Sequence, residues 1–286
     1  MTAEIISVRP RQGLPSPAGG AVGPRGRAST AVSGPRWQRT LLGIGGLLAV
    51  FILWGVATDL LLPAQGFARA FSPSRALVSL WDLLLHSDLP IHVAVSLRRV
   101  LMGLIAALAI GVPLGLAVGG IRLLDAATSP AFQFLRMISP LSWMPIAVML
   151  FGVGDSPIYF LLTFAAVWPI LLSTAAGVRQ LDRNWLQLTQ SLAATRWETL
   201  RHVIIPGVLG HVLTGVRLAI GILWIVLVPC EMLGVSAGLG YFILDTRDRL
   251  AYSELMAVVL LIGFLGFLLD TVAQALYRLR TRGGSA

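Results

Sequence analysis

Residues 100–120 read VLMGLIAALAIGVPLGLAVGG and contain no charged side chain. A helix needs ~20 consecutive apolar residues to cross the ~30 Å hydrocarbon core of a bilayer. No polar face recurs every third or fourth position, so a helix formed here must meet lipid or other helices on all sides. The stretch predicts a membrane-spanning helix from about Val93 to Gly119.

Small residues repeat along this helix. Gly111, Gly115 and Gly119 follow one another at four-residue spacing, so one face is bare backbone over two turns. Such a face lets a neighbouring helix approach closely, and we interpret it as a packing surface rather than a binding site. Pro113, in the same stretch, predicts a kink.

Five more apolar runs flank this one. They cover residues 40–62, 137–154 (within a run that starts near Pro130 and is interrupted by Pro140 and Pro145), 156–178, 203–230 and 255–277. A polar stretch at 120–129 separates the second run from the third. The shorter piece ALVSLWDLLL, residues 76–85, suits an interfacial helix better than a span. We predict an all-α polytopic bundle of about six transmembrane helices.

Composition agrees with a membrane domain and excludes other classes. Of 286 residues, 56% are apolar and 12% charged. The formal charge is +9, but the arginines lie mostly at the ends of apolar runs and are not interleaved with stacking aromatics, which argues against nucleic-acid binding. Cys230 is the only cysteine, so neither an internal disulfide nor a paired-cysteine metal site is available.

The arginines also predict orientation. Fourteen fall on one side of the predicted spans, four on the other and four within or at the edge of spans. By the positive-inside rule, both termini and the 179–202 loop are expected in the cytoplasm. Residues 1–37, rich in Gly, Pro, Ser and Arg, are predicted to be a disordered cytoplasmic tail.

The 179–202 loop, RQLDRNWLQLTQSLAATRWETLRH, has the pattern of short amphipathic helices. Its apolar face is formed by Trp185, Leu186, Leu188, Leu192, Trp197 and Leu200. Composition alone leaves two interpretations open: a projecting knob that docks on a partner, or a helix pair lying on the bilayer surface.

Spacing in this loop resembles a known signature. Gln187-Leu188-Thr189, Ala193, Val203 and Ile205-Pro206 fall where the cytoplasmic motif of ABC importer permeases has EAA, Gly, Ile and Leu-Pro, the proline acting as a stop. Here Gln-Leu-Thr replaces Glu-Ala-Ala, and Ala193 replaces the turn glycine. The segments SLRRVLMGLIAALAIGVPLGLAVGG, LTGVRLAIGILWIVLVPCEMLG and GLGYFILDTRD resemble the sulfonate, taurine and nitrate branch of that family.

The resemblance covers roughly residues 85–277 and implies a type I importer permease in a bacterial inner membrane. It implies a loop, residues 183–206, that couples the chain to a separate ATPase through Gln187, Ser191, Leu192, Ala193, Thr195, Arg196, Trp197 and Pro206. It also implies two permease copies, two ATPases and an extracytoplasmic solute-binding protein. The expected solute is a small anion such as an alkanesulfonate, taurine or nitrate. The expected organisation is a tail (1–37), a first helix with an outer loop (38–84), the permease domain (85–277) and a second tail (278–286).

Other functions lack their signatures. The sequence has no GxxxxGK[ST] phosphate loop, so we expect no ATPase site and no cofactor in this chain, with ATP used by the partner. No cluster with metal-ligand or nucleophile spacing is present, which disfavours a membrane-embedded enzyme. An ion-coupled secondary transporter is the alternative, but residues 40–150 and 156–277 share no similarity beyond apolarity.

Ionisable residues within spans are functional candidates because burying them in hydrocarbon is costly. Arg217 lies ~16 Å beyond Pro206 at ~1.5 Å per residue, near mid-membrane, and Glu231 projects from nearly the same face. Both are candidates for the translocation path. The alternative for Arg217 is pairing with Glu231 of a partner helix, with Asp270 or with helix-end carbonyls. Arg98 and Arg99 are expected to anchor an outer helix end.

Overall fold

The computed structural model describes residues 36–60 and 71–282, and within those ranges it contains helices and no strand. Contacts divide the chain into two units, residues 1–48 and 49–286. The helices are α1 (Arg36–Gly55), α2 (Pro73–His86), α3 (Leu89–Gly120), α4 (Arg122–Met137), α5 (Met144–Phe151), α6 (Asp155–Arg179), α7 (Arg183–Ser191), α8 (Arg196–Thr199), α9 (Ile205–Met232), α10 (Leu239–Asp248) and α11 (Tyr252–Arg282). This confirms the all-α fold class.

Five helices in the described part are long and apolar enough to cross a membrane. They lie at Leu41–Thr58, Leu89–Gly120, Asp155–Arg179, Arg196–Met232 and Tyr252–Ala275. A sixth crossing exists only if α4 and the segment Pro140–Phe151 count as one, and these two are bent by 85°. The predicted third span at 137–154 is therefore wrong as a single helix. Pro140 and Pro145 lack backbone N–H groups, which favours a break there.

The central contact is between α3 and α6, which run parallel. A Cβ placed on Gly111 would meet Ile170, one on Gly115 would meet Thr174, and one on Gly119 would meet Val178. Because the offset between partners is constant, the glycine face of α3 lies along α6 from Gly111 to Gly119. Dispersion contacts between closely approaching backbones stabilise such pairs, since lipid removes the hydrophobic drive for helix association.

The long helices α9 and α11 alternate in direction, since α11 meets α9 through Gly266 at Trp224 and through Asp270 at Arg217. Gly215 of α9 lies against Ile170 of α6 and Gly177 of α6 against Val208 of α9, which is an antiparallel arrangement. Gly266 of α11 lies against Trp224 of α9. The starts of α3, α6 and α11 and the end of α9 therefore lie at one surface of the bundle. The segment α7–α8 lies at the opposite surface.

Three predicted boundaries are corrected. The polar stretch 120–129 is not a separator, because residues 122–129 form the first half of α4. This helix is amphipathic and has no buried residue in the single chain. The segment after Glu231 contains α10, a helix that was not predicted because polar residues lie among its apolar ones. Residues 36–37 begin α1 and residues 278–282 continue α11, although both were assigned to tails; the rest of both predicted tails, residues 1–35 and 283–286, lies outside the described residues.

Pro206 does not stop a helix. Residues 196–232 form one continuous helix in which Leu200–Ile204 is a π-helical turn immediately before α9. A proline cannot donate to the residue four positions earlier and crowds its carbonyl. A wider π turn accommodates both effects, and such bulges are frequent at functional sites.

Candidate functional site

The α7–α8 projection, residues 182–204, confirms the predicted pair of short helices. Asp182 caps α7 by accepting a hydrogen bond from the backbone N–H of Asn184 at 2.9 Å. Leu186 and Leu200 are half-buried, while Trp185, Leu188, Leu192 and Trp197 are exposed. The predicted apolar face is thus divided between an inner side and an outer side.

The turn between these helices is built on Ala193. Its φ is +53°, in the left-handed region. The backbone N–H of Ala194 donates to the Thr189 carbonyl at 3.0 Å, and that of Ala193 donates to the Gln190 carbonyl at 3.1 Å. These two bonds form the helix-ending motif in which glycine is usual. Ala193 aligns with the turn glycine of the family motif, and the backbone at this position has the positive φ that glycine adopts most easily.

The start of α8 is held by a reciprocal cap. The Glu198 carboxylate accepts from the Thr195 backbone N–H at 2.7 Å, and the Thr195 hydroxyl oxygen accepts from the Glu198 N–H at 3.3 Å. The Thr195 backbone N–H makes the largest contribution to stabilising the charged carboxylate, and the Thr195 hydroxyl makes the next largest. Both hold the pKa of Glu198 below its ordinary value. Thr195, one of the predicted coupling residues, thereby fixes where α8 begins.

We call the outward side of this projection the docking patch: Trp185, Leu188, Leu192 and Trp197. The exposed fraction is 67% for Trp197 and 71% for Leu192. On the inner side, Leu186, Thr189, Ala194, Arg196 and Leu200 line an open groove of about 560 Å³. Gln187 and Ser191 are exposed on α7, and Pro206 lies in the first turn of α9.

At the opposite surface, charged side chains form what we call the outer network. Arg99 is 2% exposed and Glu231 fully buried, and their Nη1 and Oε1 atoms are 2.7 Å apart. Arg99 also bonds Asp155 through Nη2 at 2.5 Å, and Arg98 bonds the other oxygen of Asp155 at 2.8 Å. The network joins α3, α6 and α9.

The remaining polar atoms of the network also have hydrogen-bond partners close by in space. The Ser96 hydroxyl lies 2.8 Å from both Glu231 oxygens and accepts from the Leu239 N–H. The Gly240 N–H donates to Glu231 at 2.9 Å. A Cβ at Gly238, where φ is +123°, would meet the Glu231 carboxylate and Arg99 Nη1, so this turn requires glycine.

These contacts correct the prediction for Arg99 and describe the surroundings of Glu231. Arg99 does not anchor a helix end at the lipid surface; it is a buried ion-pair partner, because Glu231 and Asp155 lie close to its two terminal nitrogens. Glu231 is buried with both carboxylate oxygens bonded, and its place in the translocation path stays a prediction. Sequence reasoning missed the pairing since its members are separated by 56 to 135 residues.

Arg217, the other candidate for the translocation path, does not meet Glu231. Its Nε donates to Oδ1 of Asp270 on α11 at 3.1 Å, and the two side chains are 43% and 35% exposed. The alternative pairing with Asp270 is the one present. Solute contact at Arg217 stays a prediction. Within residues 36–60 and 71–282, no group of three His, Cys, Asp or Glu side chains could hold a metal ion.

Long apolar helices around a close-packed centre, with a capped amphipathic helix pair projecting from one surface, define a polytopic membrane transport subunit. The chain belongs to the family of binding-protein-dependent transport system inner membrane components, which it matches over residues 100–283. It is a permease subunit of the ATP-driven ABC importers of type I, as its resemblance implied. The family assignment sets aside the secondary transporter.

Several curated relatives match most of the chain. The bicarbonate transport system permease protein CmpB of Synechococcus elongatus is 35% identical over 85% of this chain and 91% of its own length. The taurine transport system permease protein TauC of Escherichia coli is 30% identical over 85% and 90%. The nitrate import permease protein NrtB of Leptolyngbya laminosa is 30% identical over 79% and 83%.

Solved structures support the fold. An inward-facing conformation of the MetNI methionine ABC transporter aligns with 72% of this chain and 96% of its own chain, with a TM-score of 0.54 and 15% sequence identity. At that identity the likeness concerns the fold alone.

Proposed function

We propose that two copies of this chain form the membrane path for a small solute carrying an oxygen-rich anionic group, such as bicarbonate, nitrate, taurine or an alkanesulfonate. Energy comes from two separate ATPase subunits, and an extracytoplasmic binding protein delivers the solute. The chain itself carries no cofactor and no ATPase site.

The solute class is supported by the relatives. Those named above are described as permeases for bicarbonate, taurine and nitrate. These solutes differ in size and geometry but share an anionic group whose oxygens accept hydrogen bonds. The chain is formally +9, which favours anions near its surfaces.

The docking patch is the observation that carries the proposal of coupling. Two tryptophans and two leucines are exposed on a projection whose helix starts are fixed by Asp182 and Thr195. Buried aromatic anchors dominate the energy of many protein interfaces. Burying Trp197 or Leu192 in a groove of the ATPase would contribute about 2 to 4 kcal/mol each.

The orientation follows from the same assignment. With the projection facing the ATPase in the cytoplasm, both termini face the cytoplasm and the outer network faces the binding protein. The fourteen-to-four arginine distribution supports this topology in a bacterial inner membrane.

The coupling is tested by two substitutions in the full importer, the permease co-expressed with its ATPase. Trp197→Ala removes an anchor, and Ala193→Asp places a charge at the apex of the turn. We expect normal membrane insertion, with ATPase co-purification and solute uptake both strongly reduced. Trp81→Ala is the matched control, since Trp81 is 68% exposed and lies on α2, away from the projection.

Two results would count against the proposal. Variants that insert, bind the ATPase and transport like the parent would leave the surface-helix interpretation of α7–α8 in its place. Robust ATP hydrolysis by the purified permease alone, free of contaminating ATPase, would contradict the division of labour.

A further inference from the structure

We propose that Arg136 and Trp168 form an anion-binding subsite halfway through the bundle; this rests on the proposed function and names the residues that hold the solute in transit. Both line a cavity of about 220 Å³, together with Pro140, Pro169, Leu172 and Ile222. The cavity has several times the ~30 Å³ that one water occupies in the liquid, so it accommodates a small anion.

The cavity lies at mid-membrane depth. Trp168 is thirteen residues from the start of α6 and eleven from its end, or ~20 Å and ~16 Å at ~1.5 Å per residue. Ile222 occupies the middle of α9, which packs on α6. On the other side, the cavity is bounded by the break between α4 and Pro140.

Arg136 differs from the other arginines placed within helical spans. Arg99 and Arg217 pair with carboxylates, whereas Arg136, an exposed residue of the single chain, has no ion pair and no hydrogen bond among the described residues. An unpaired cation in a membrane-spanning region is costly, and such residues mark ion and substrate pathways. The planar guanidinium offers paired donors that match the oxygens of a carboxylate, sulfonate or nitrate.

Trp168 supplies a second donor. Its Nε1 is buried without a hydrogen-bond partner. The ring packs edge-on against Phe164, with centroids 5.6 Å apart, and also contacts Phe132 at 5.8 Å, so its orientation is fixed by packing. Trp143 and Trp224 also have unpartnered N–H groups, but neither lines the cavity that contains Arg136.

The chemistry of the lining selects anions. Among the lining residues Arg136 carries a guanidinium and Trp168 an indole N–H, and none carries a carboxylate. The other lining residues are apolar, so the guanidinium is the charged group of the lining. Two donors are few enough for the anion to leave again, as a transit site requires.

A structural role for Arg136 is the competing explanation. Arg136 lies in the last turn of α4, where a cation interacts favourably with the helix dipole. Pro169 also leaves the Ala165 carbonyl without its usual helical donor. In the structure, however, Arg136 makes no hydrogen bond to that carbonyl or to any other described group. Binding of an anion separates the two explanations.

Direct binding is measured on the full-length permease in nanodiscs. The ¹⁵N–¹H resonance of the Trp168 indole, assigned with Trp168→Phe, is followed during titration with nitrate, bicarbonate and methanesulfonate, with chloride as the reference salt. We expect a saturable shift with at least one oxyanion and no saturable shift in Arg136→Gln. Absence of a shift with all three anions, or an equal shift in Arg136→Gln, would overturn the subsite.

Transport is measured in proteoliposomes that contain the permease, its ATPase and its binding protein. Arg136→Gln should reduce ATP-dependent uptake about tenfold or more, as expected for loss of a charged donor, and Arg136→Lys should restore part of it. Trp168→Phe should reduce uptake about threefold to tenfold. Arg122→Gln, on the same helix but outside the cavity, is the control and should transport normally.

The two measurements distinguish the two proposals. If the Trp168 resonance responds to an oxyanion but the parent importer accumulates none, the subsite stands and the proposed function fails. Unchanged uptake in Arg136→Gln would refute the subsite and leave the importer function intact.

Discussion

Ala193 occupies a backbone conformation that L-residues rarely adopt, at the apex of the α7–α8 projection. A non-glycine residue in the left-handed region has roughly 1–2 kcal/mol of unfavourable energy from its Cβ. The cost is tolerated because two backbone hydrogen bonds require this conformation. The family signature has glycine here, so the substitution stores strain at the apex of the projection.

Ala193→Gly should therefore stabilise the projection. Relief of the Cβ clash, partly offset by the greater freedom of glycine in the unfolded chain, gives a net gain of about 0.5 to 1 kcal/mol. Amide hydrogen exchange across residues 182–204 should slow by about twofold to fivefold. Ala194→Gly is the control: Ala194 lacks a positive φ, so exchange should quicken there. Equal effects of the two substitutions would contradict the strain argument.

Glu198 gives the cap of α8 a defined pH dependence. Its pKa lies below the ordinary value of 4.5 because the Thr195 N–H and hydroxyl stabilise the carboxylate. A depressed folded-state pKa means that the cap's contribution is complete above the unfolded value and is lost as pH falls through the folded pKa. Cap stability should thus be constant near neutrality and decline only below about pH 4.5.

The carboxyl pKa can be read from the ¹³C resonance of Glu198, assigned with Glu198→Gln. We expect a value under 4.5, rising towards 4.5 in Thr195→Ala, which removes the hydroxyl contribution. A pKa at or above the ordinary value in the parent would show that the reciprocal cap does not form.

Single residues also show where sequence reasoning stops. The spacing from Gln187 to Pro206 located the turn at Ala193, because turn geometry is local. Arg99 could not be paired from sequence, since its partners Asp155 and Glu231 are brought to it by the packing of α3, α6 and α9. Adjacent arginines at a helix start are equally typical of a lipid anchor.

At the scale of elements, the α3–α6 contact is decided by small residues. A Cβ on Gly115 would lie 2.6 Å from the Thr174 Cβ and 2.7 Å from the Leu171 carbonyl oxygen. One of these neighbours is a backbone atom and the other is the first atom of a side chain, so neither can move away unless the helices separate. The glycine spacing predicted a packing face, and the structure identifies α6 as the helix that it meets.

Gly115→Ala should destabilise the bundle even though alanine favours helices. Overpacking a tight contact typically costs about 1 to 3 kcal/mol. Gly120→Ala is the matched control on the same helix, because nothing lies within 4 Å of its added Cβ. The thermal unfolding midpoint in detergent should fall for Gly115→Ala and stay level or rise for Gly120→Ala. A similar midpoint for the two variants would mean that α3 and α6 are not packed this closely.

Elements were predictable where one physical signal dominated. Uninterrupted apolar runs gave α1, α3, α6, α9 and α11, because crossing hydrocarbon requires length and apolarity together. The segments α4 and α10 were missed because polar residues lie among their apolar ones, a pattern shared by loops and surface helices. The π-helical turn before Pro206 was also hidden, since a proline in sequence signals a helix start, a kink or a stop alike.

For the whole molecule, the docking projection and the outer network lie at opposite ends of one helix. The continuous helix from Arg196 to Met232 starts in the docking projection and ends at Glu231 in the outer network. A movement of the projection on ATPase binding would therefore act on the same helix whose Glu231 bonds Arg99. Removing Arg99 would leave the buried Glu231 carboxylate without a cationic partner, so Arg99 stabilises the position of this end of the helix.

This arrangement makes the membrane topology testable with two cysteines. Asn184 lies in the projection and Ser236 in the turn beside the outer network, and both residues are exposed. The native Cys230 is buried, and its replacement by alanine gives a background that an impermeant thiol reagent does not label. In intact cells we expect Ser236→Cys to react with the reagent added outside and Asn184→Cys to react only after permeabilisation. The reason is the arginine excess on the side of the projection, which positions that side in the cytoplasm. Labelling of Asn184→Cys from outside, with Ser236→Cys protected, would invert the topology and place the docking patch where no ATPase could reach it.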